Sequence, residues 1–297
     1  AGLLGFLAGM AADLDVLIRS GTDPLLFLEY HRQFTHSLIF IPVGGLICAL
    51  VLHALLGRRR GLQFRQSWLF CTLGYATHAL LDACTTYGTM LFWPFSNARI
   101  AWNTISIIDP LFSLPLLAGI ILAATRRSPR YARLALLWAC CYMALGLVQR
   151  ESAREMGYAL AAERGHTPQR LEAKPSFANI LVWKVVYDTS GRFYVDAVRA
   201  GLSPRVFPGA SVAKFDMDRD MPWLDKASQQ ARDIERFRWF SNGYIAKSLM
   251  LENSVTDIRY SMLPNSASGL WSIVLSPSAK TDEHVAYQSM RDANPDQ

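Results

Sequence analysis

With 297 residues, the chain is long enough for two domains, and its composition changes near Gln149. Apolar runs with few acids dominate the first half, whereas charged residues are dispersed through the second. The formal net charge of +6 reflects mainly arginines in short loops between the apolar runs, which argues against nucleic-acid binding. The five cysteines all lie in the first half without zinc-finger spacing, so we expect neither a zinc finger nor a disulfide framework.

In chain order, the first half carries five apolar runs. A helix that crosses a bilayer needs about 20 apolar residues, and four of the runs approach this length. These four runs are 37–57, 67–82, 107–125 and 134–149. The other run, 1–18, begins without methionine, so we expect the chain to be a fragment or a processed form without an intact signal peptide. The pattern predicts an α-helical, multi-span membrane domain over residues 1–149.

Two arginine clusters orient these predicted spans. Short loops rich in Lys and Arg are normally cytoplasmic. The clusters are Arg58, Arg59, Arg60 and Arg65 in one loop, and Arg126, Arg127, Arg130 and Arg133 in the other. Both loops give the same orientation, in which the last span delivers the second half of the chain to the outside. We therefore expect the C-terminal domain to be extracytoplasmic.

The second half, residues 150–297, has the pattern of a smaller, soluble α+β domain with an antiparallel sheet. An amphipathic helix is predicted over 151–164, where the chain leaves the membrane, and a second, short helix over 222–236. Asn242-Gly243 is a strong turn signal, which predicts a hairpin between strands at 237–240 and 244–249. The other predicted strands are 179–187, 192–198, 256–262 and 270–275.

Six residues of metal-ligand types lie at or beside the ends of these runs, and the topology places all of them at the same, outer face of the membrane. Ionisable groups at membrane depth cost roughly 2.5–3.5 kcal/mol on insertion scales, so such residues point to a functional site. They are Asp13, Asp15, His31, His36, His78 and Asp82. Imidazole nitrogens combined with carboxylates suit zinc, manganese or iron, whereas magnesium would favour oxygen alone. The sequence therefore predicts a divalent metal site.

The histidines each allow a structural interpretation as well. His78 and Asp82 are four residues apart, so they share one helix face and could meet one ion. Alternatively, Asp82 caps a helix end and His78 packs against a neighbour. His31 and His36 could instead lie in an exposed loop. Thr35 is a possible N-cap of the run that begins at residue 37, and a helix N-terminus there would favour a neutral His36.

The remaining polar residues near these runs have less specific patterns. Asp13 and Asp15 diverge on a continuous helix, so either the helix stops there or only one carboxylate faces inward. Helix capping and solvent exposure are the alternatives for this pair. Arg32 is a possible binding group for a substrate anion, with Arg99 as a second. His53 lies toward the cytoplasmic end of its span, where we expect a packed residue and not a ligand.

The first half resembles a known family, the YdjM-like membrane-bound metal-dependent hydrolases, also described as LexA-regulated inner-membrane proteins. The order and spacing of five short motifs carry this resemblance. They are DLDVL at 13–17, HRQFTHS at 31–37, HALLDACTTYG at 78–88, WPFS at 93–96 and IIDP at 107–110. The sequence departs from the family pattern at Ala12, where proline is usual, and at Gln33, where glycine is usual.

The resemblance implies a bacterial inner-membrane protein with a helical domain distantly like that of zinc-dependent phospholipase C and P1 nuclease. The family's metal-site pattern carries over onto the six residues Asp13, Asp15, His31, His36, His78 and Asp82. Members also begin with a further segment that contains a Thr-His pair, and that segment is absent here. If that histidine is a ligand, the site here is incomplete.

From the residues and the resemblance together, we expect a hydrolase that cleaves a phosphoester by metal-activated water. The cofactor would be zinc, with manganese or iron as alternatives, and the substrate a small-molecule or membrane-lipid phosphoester. His31, His36, His78 and Asp82 would bind the metal. Asp13 or Asp15 would complete the site of a second metal ion or act as base, and Arg32 would hold the substrate. The alternative is a non-enzymatic membrane protein with a structural metal and a partner-binding outer domain.

Overall fold

The computed structural model describes residues 1–289 and divides into two compact units, Ala1–Trp102 and the chain from Asn103 onward. This boundary follows contacts between residues, and it differs from the change in composition near Gln149. The difference arises because the helix that contains Gln149 also packs against the strands that follow it. The sequence-based division at Gln149 stays a prediction about which segment enters the membrane.

The first unit is helical. Its α-helices are α1 (Gly2–Ala11), α2 (Leu26–Tyr30), α3 (Ile41–Leu52) and α4 (Phe64–Ala83). A 3-10 turn at Ala12–Leu17 follows α1, and another at Phe34–His36 precedes α3. Beyond Leu52 the helical path continues through a π turn at His53–Gly57 and a 3-10 turn at Arg58–Arg60. Helix α4 begins at a reciprocal capping box between Gln63 and Gln66, which satisfies backbone N–H groups at its first turn.

Close approach between small residues fixes α4 against α1 and α3. A Cβ on Gly74 would lie 2.0 Å from the carbonyl oxygen of Gly5, and a Cβ on Gly45 would lie 2.3 Å from the hydroxyl of Thr72. Small residues at such crossings let helix backbones pack closely, as is common in membrane proteins. The middle of α4 is therefore packed tightly against both helices, one turn before His78.

The second unit begins with two helices, α5 (Pro110–Thr125) and α6 (Pro129–Glu163). Asp109 caps α5 by accepting hydrogen bonds from the backbone N–H groups of Leu111 and Phe112. Its second carboxylate oxygen accepts a hydrogen bond of 2.8 Å from the Tyr142 hydroxyl on α6. Asp109 is thus a buried structural residue that joins the two helices, in the unit that does not contain the six predicted ligands.

Two antiparallel sheets form the rest of the second unit. The first has the order β1-β2-β3-β4, with β5 also paired to β3, and the second has the order β6-β7-β8-β9. Apolar side chains of both sheets share one core, which includes Val186, Phe193, Tyr244 and Ile258. The strands are β1 (Arg170–Pro175), β2 (Val182–Asp188), β3 (Arg192–Arg199), β4 (Arg205–Phe207), β5 (Ser211–Ala213), β6 (Ile245–Lys247), β7 (Ser254–Asp257), β8 (Trp271–Val274) and β9 (Ala286–Ser289). The α+β domain with antiparallel pairing is confirmed.

The predicted strand at 237–240 is wrong, because these residues end a helix. A one-turn helix, α7, spans Met217–Asp220, and α8 spans Gln229–Phe240. Ser228 caps α8, and the apolar side chains of this helix recur at helical spacing. Asn242 and Gly243 both have positive φ, and the Gly243 N–H donates to the carbonyl of Arg238. The Asn-Gly pair therefore ends a helix here, which is another common use of residues with left-handed backbone.

Two helical stretches of the described residues are long and apolar enough to cross a membrane, Ile41–Arg60 and Pro129–Glu163. Helix α5 is apolar but shorter. Most large apolar side chains on these helices are exposed, as expected for surfaces that face lipid. The helical first half is thus confirmed, and the full number of spans stays a prediction.

Candidate metal centre

Three segments of the first unit meet at one site. The 3-10 turn after α1 supplies Asp13, the 3-10 turn before α3 supplies His36, and the last turns of α4 supply His78 and Asp82. Tyr75, one turn earlier on α4, donates a hydrogen bond of 2.9 Å to the carbonyl oxygen of Thr35. This bond ties the His36 turn to the helix that carries the other ligands.

Four side-chain atoms converge at this site. His36 Nε2 lies 3.4 Å from Asp13 Oδ1 and 3.1 Å from Asp82 Oδ2. His78 Nε2 lies 3.3 Å from Asp13 Oδ1 and 3.5 Å from Asp82 Oδ2. The structure thus brings together four of the six predicted ligands, one ligand atom from each residue.

The four converging atoms fit a divalent metal ion. Each is buried, and none makes a hydrogen bond of acceptable geometry despite lying so close to the others. Buried polar atoms that lack hydrogen bonds are costly, and a metal ion between them would satisfy all four, although Asp82 Oδ2 also lies 2.9 Å from Arg32 Nε. Two neighbouring ligand atoms are about 3.3–3.4 Å apart around a tetrahedral ion with 2.0–2.1 Å bonds, and about 3.0 Å apart around an octahedral one. The observed separations of 3.1–3.5 Å agree with the tetrahedral arrangement that zinc prefers.

Asp15 is close to this centre but is occupied by other partners. Its Oδ2 accepts hydrogen bonds from the Arg32 backbone N–H at 2.9 Å and from the Thr35 hydroxyl at 2.6 Å, and lies 3.3 Å from His36 Nδ1. Its Oδ1 lies 2.8 Å from His31 Nδ1. A carboxylate on the far nitrogen of a metal-binding histidine fixes the ring and its tautomer. His36 Nδ1 itself is hydrogen-bonded with the Thr35 hydroxyl at 2.9 Å, and that hydroxyl donates to Asp15 Oδ2, so Asp15 and Thr35 together orient the His36 ring.

The chain reaches both aspartates by leaving the α-helical path at Ala12, which is one of the two alternatives that the sequence allows. Asp13 and Asp15 then both face the histidines from the 3-10 turn. Their exposure differs, because the Asp15 side chain is buried whereas the Asp13 side chain is 39% exposed. The open side of the site is thus the side of Asp13.

His31 lies beside the four-atom centre. Its ring centroid is 6.3 Å from that of His36, and its Nδ1 faces the Asp15 carboxylate. Because a carboxylate only accepts, a neutral His31 in this contact would carry its proton on Nδ1 and its lone pair on Nε2. Asp13, Asp15 and His31 form a second group of possible ligands. A second metal ion here stays a prediction.

Arg32 is a buried partner of Asp82. Its Nε lies 2.9 Å from Asp82 Oδ2, its Nη1 donates to the Thr85 hydroxyl, and its guanidinium stacks on the Tyr87 ring. Arg32 also has a φ of 60°, a left-handed conformation that is unusual for a side chain of this size. These contacts hold Asp82 in place and direct the guanidinium away from solvent.

Arg99 has a comparable supporting role. Its two terminal nitrogens donate to the carbonyl oxygens of Leu28 and His31, and its guanidinium lies 5.1 Å from the centroid of the Tyr87 ring. Arg99 thus fixes the backbone around His31. His53 lies in the π turn after α3 and pairs with the Ser67 hydroxyl at 2.9 Å, so it does not join the four-atom centre.

The expectation that a helix N-terminus keeps His36 neutral is wrong. Helix α3 begins only at Ile41, and the Thr35 hydroxyl donates to Asp15 instead of capping it. Burial lowers the pKa of His36, but the carboxylates of Asp13, Asp15 and Asp82 outweigh burial and raise the pKa to about 10. Three carboxylates around one imidazole thus favour a positive charge at this point, and a divalent ion would supply it.

Thr35, Thr85 and Tyr87 support the centre, and none of them is among the predicted site residues. Thr35 binds Asp15, Thr85 binds Arg32, and the Tyr87 ring lies against both arginines. Each lies within five residues of a predicted ligand, and this proximity in sequence was the available indication that they contribute to the site. Their contacts depend on tertiary structure and have no signature of spacing.

Comparison with known proteins identifies relatives of the first half. The profile of a family described as "YdjM inner membrane protein" matches residues 1–153. The inner membrane protein YbcI of Escherichia coli (strain K12) is 35% identical over 111 residues, which cover 35% of this chain and 60% of YbcI. The chain thus spans less than two thirds of this relative. No solved structure matches the chain.

Proposed function

The chain belongs to the YdjM inner membrane protein family, and on that premise we propose that it is a metal-dependent hydrolase of phosphoester bonds. The observation that carries this proposal is the convergence of four buried atoms without hydrogen bonds, two imidazole nitrogens and two carboxylate oxygens. Zinc is the favoured ion, with manganese and iron as alternatives that the same ligand types accept. The substrate is a small-molecule or lipid phosphoester at the membrane surface.

The ligand set defines what the chain would do for such an ion. Asp13, His36, His78 and Asp82 would hold it, while Asp15 orients His36 and Arg32 holds Asp82. When bound, a divalent ion lowers the pKa of its water to about 7 and polarises a phosphoryl oxygen. The half-exposed Asp13 marks the side from which a phosphoester would approach.

His31 is the best placed proton acceptor. With Nδ1–H directed at the Asp15 carboxylate, His31 would keep its Nε2 lone pair for the proton of an attacking water. The Asp15 carboxylate would then stabilise the resulting imidazolium. We assign His31 and Asp15 the role of general base and its orienting carboxylate, and we place Arg32 as a positioning residue for Asp82 in place of the substrate contact expected from the sequence.

A structural metal is the second candidate function. The supporting observation is that protein atoms alone supply four ligands, which is the pattern of closed, structural zinc sites, whereas catalytic sites keep one position open. In that case the ion would hold α4 to the two 3-10 turns, and the protein would serve as a membrane scaffold whose C-terminal domain binds partners.

One experiment separates these two functions. The full chain, reconstituted in lipid nanodiscs and loaded with zinc, manganese or iron, is screened against bis(p-nitrophenyl) phosphate and phospholipids. The hydrolase proposal predicts turnover that a chelator abolishes, and a His31→Gln protein that keeps its metal but hydrolyses at least about 100-fold more slowly, as expected on loss of a general base. Metal-loaded protein without any turnover, combined with a melting temperature that falls on chelation, would establish the structural role instead.

The membrane arrangement expected from the arginine clusters belongs to the same proposal. We place the metal centre at the outer face of the inner membrane, and the C-terminal domain outside the cytoplasm. The support comes from the basic loops that contain Arg58–Arg60 and Arg126.

A further inference from the structure

A hairpin tip of the C-terminal domain exposes a leucine side chain fully, between two arginines. Strands β3 and β4 pair through Arg199 and Arg205, and the connecting residues 200–204 form the tip. Leu202 at its centre is 107% exposed, so it contacts nothing else in the described part of the chain. Phe177 and Leu181 are exposed apolar residues near the same end of the sheet, since the Leu181 carbonyl accepts a hydrogen bond from the Ala200 N–H.

The two arginines lie opposite each other in the ladder, which indicates an anionic partner. Like charges directly opposite on neighbouring strands are destabilising. Both side chains are exposed, and no carboxylate within residues 1–289 forms an ion pair with either of them; Arg199 donates to the Ser203 carbonyl oxygen in the tip, and the Arg205 guanidinium lies over the Phe207 ring. An anion such as a phosphate group between Arg199 and Arg205 would relieve this repulsion.

Contacts along α6 locate this end of the sheet relative to the membrane. Helix α6 is one of the two helices able to cross a bilayer, and its apolar part ends at Gln149, just before Arg150. Farther along the helix, Gly157 packs against Val185 on β2, and Arg164 reaches the Tyr187 hydroxyl. Strand β2 therefore runs away from the membrane in the same direction as α6, so the start of β2 is its membrane-proximal end.

Distances along the strand and the helix put the tip at the level where the apolar part of α6 ends. Leu181 precedes Val185 by four residues, or about 13 Å along a strand, which corresponds to roughly nine residues of helix. Counted back from Gly157, this level is near residue 148, where the apolar part of α6 ends. A hydrogen bond of 3.2 Å from the Ala178 N–H to the Ser106 hydroxyl, four residues before α5, agrees with this level.

We propose that the 200–204 tip, with Phe177 and Leu181, rests on the bilayer surface from which α6 emerges. Leu202 lies in the interfacial layer, and Arg199 and Arg205 bind phosphate groups of anionic lipids. Apolar residues flanked by basic residues are typical of segments that lie in a membrane interface. This contact is independent of the metal centre, because every residue that it uses belongs to the second unit.

The test uses photo-crosslinking of the full chain in nanodiscs that contain phosphatidylglycerol. A benzophenone amino acid replaces, one at a time, Leu202, Ser190 and Val148. Ser190 lies in the hairpin connection between β2 and β3, at the opposite end of the same sheet. Val148 is an exposed residue of the apolar part of α6 and reports that lipid adducts form at all. All three positions are exposed, so the label does not disturb the core.

The proposal predicts a lipid adduct at position 202 in at least half the yield found at position 148, and less than a tenth of that yield at position 190. Replacing both arginines, Arg199→Ser with Arg205→Ser, should lower the adduct at position 202 several-fold, whereas Arg192→Ser at the distal end should not. A yield at position 202 as low as that at position 190, or adducts to protein instead of lipid, would overturn the proposal.

Discussion

Asp15 offers a sharp test of how the site is built, because its geometry assigns it to orientation and not to coordination. The substitution Asp15→Asn keeps the shape of the side chain but removes its charge. It also turns one carboxylate oxygen into an amide group that donates. Four groups contact this carboxylate: the Arg32 N–H and the Thr35 hydroxyl, which donate to Oδ2, and the Nδ1 atoms of His31 and His36. His36 thereby loses the carboxylate on its Nδ1 side, while all four converging ligand atoms remain.

The expected loss follows from the role of such supporting carboxylates. Their mutation typically lowers metal affinity 10–100-fold, or about 1.4–2.8 kcal/mol. We therefore expect Asp15→Asn to raise the zinc Kd by this factor, measured by competition with a chromophoric chelator on purified protein. Asp23→Asn is the matched control, since Asp23 accepts a hydrogen bond from the Leu25 N–H outside the site, which an amide can also accept.

Two results would refute this assignment. A zinc Kd equal to that of the wild type would mean that Asp15 does not orient His36. A loss as complete as that of His36→Ala would mean that Asp15 is itself a ligand, as its sequence pattern allows.

Three further predictions test other parts of the account. Gly74→Ala should destabilise the protein by about 1–3 kcal/mol, because the new Cβ would lie 2.0 Å from the Gly5 carbonyl oxygen. Gly2→Ala is the control, since its Cβ would meet nothing within 4 Å, and it should leave the melting temperature in detergent unchanged. Equal melting temperatures of the two variants would contradict the close helix crossing. Burial lowers the pKa of Lys184 from 10.5 to about 7, so between these pH values the unfolded chain binds a proton that the folded chain does not. The free energy of unfolding should therefore rise with pH across this window, by at most about 1.4 kcal/mol per pH unit relative to Lys184→Met. If the melting temperatures of the two proteins changed in parallel from pH 7 to 9, Lys184 would not be buried as described. A reporter active only in the periplasm, fused after Gln297, should be active, and activity of a cytoplasm-only reporter at the same position would refute the orientation derived from the arginines.

Local spacing predicted the part of the site that lies on one helix. His78 and Asp82 are four residues apart on α4 and meet at one centre, because this spacing places two side chains on the same face. The partition between Asp13 and Asp15 could not be predicted in this way. It depends on the change from α-helix to 3-10 turn at Ala12, and on hydrogen bonds from Arg32 and Thr35 that lie far along the chain.

The fold shows the same division between local and distant information. Strands β2 and β3, which pair antiparallel, lie close to the strands predicted at 179–187 and 192–198. The error at 237–240 arose because Asn242-Gly243 signals left-handed backbone, which serves a hairpin and a helix end equally well. The helical spacing of Ala231, Ile234 and Phe237 distinguishes the two cases, and it should have outweighed the turn signal.

The central claim is that Asp13, His36, His78 and Asp82 together hold one divalent ion, and the metal content of purified protein tests it most directly. We predict about one zinc, manganese or iron ion per wild-type chain, a severe loss in His36→Ala, His78→Ala and Asp82→Ala, and wild-type content in His53→Ala, whose imidazole pairs with Ser67 away from the site. Equal metal content in all of these proteins, or none in the wild type after loading, would contradict the account.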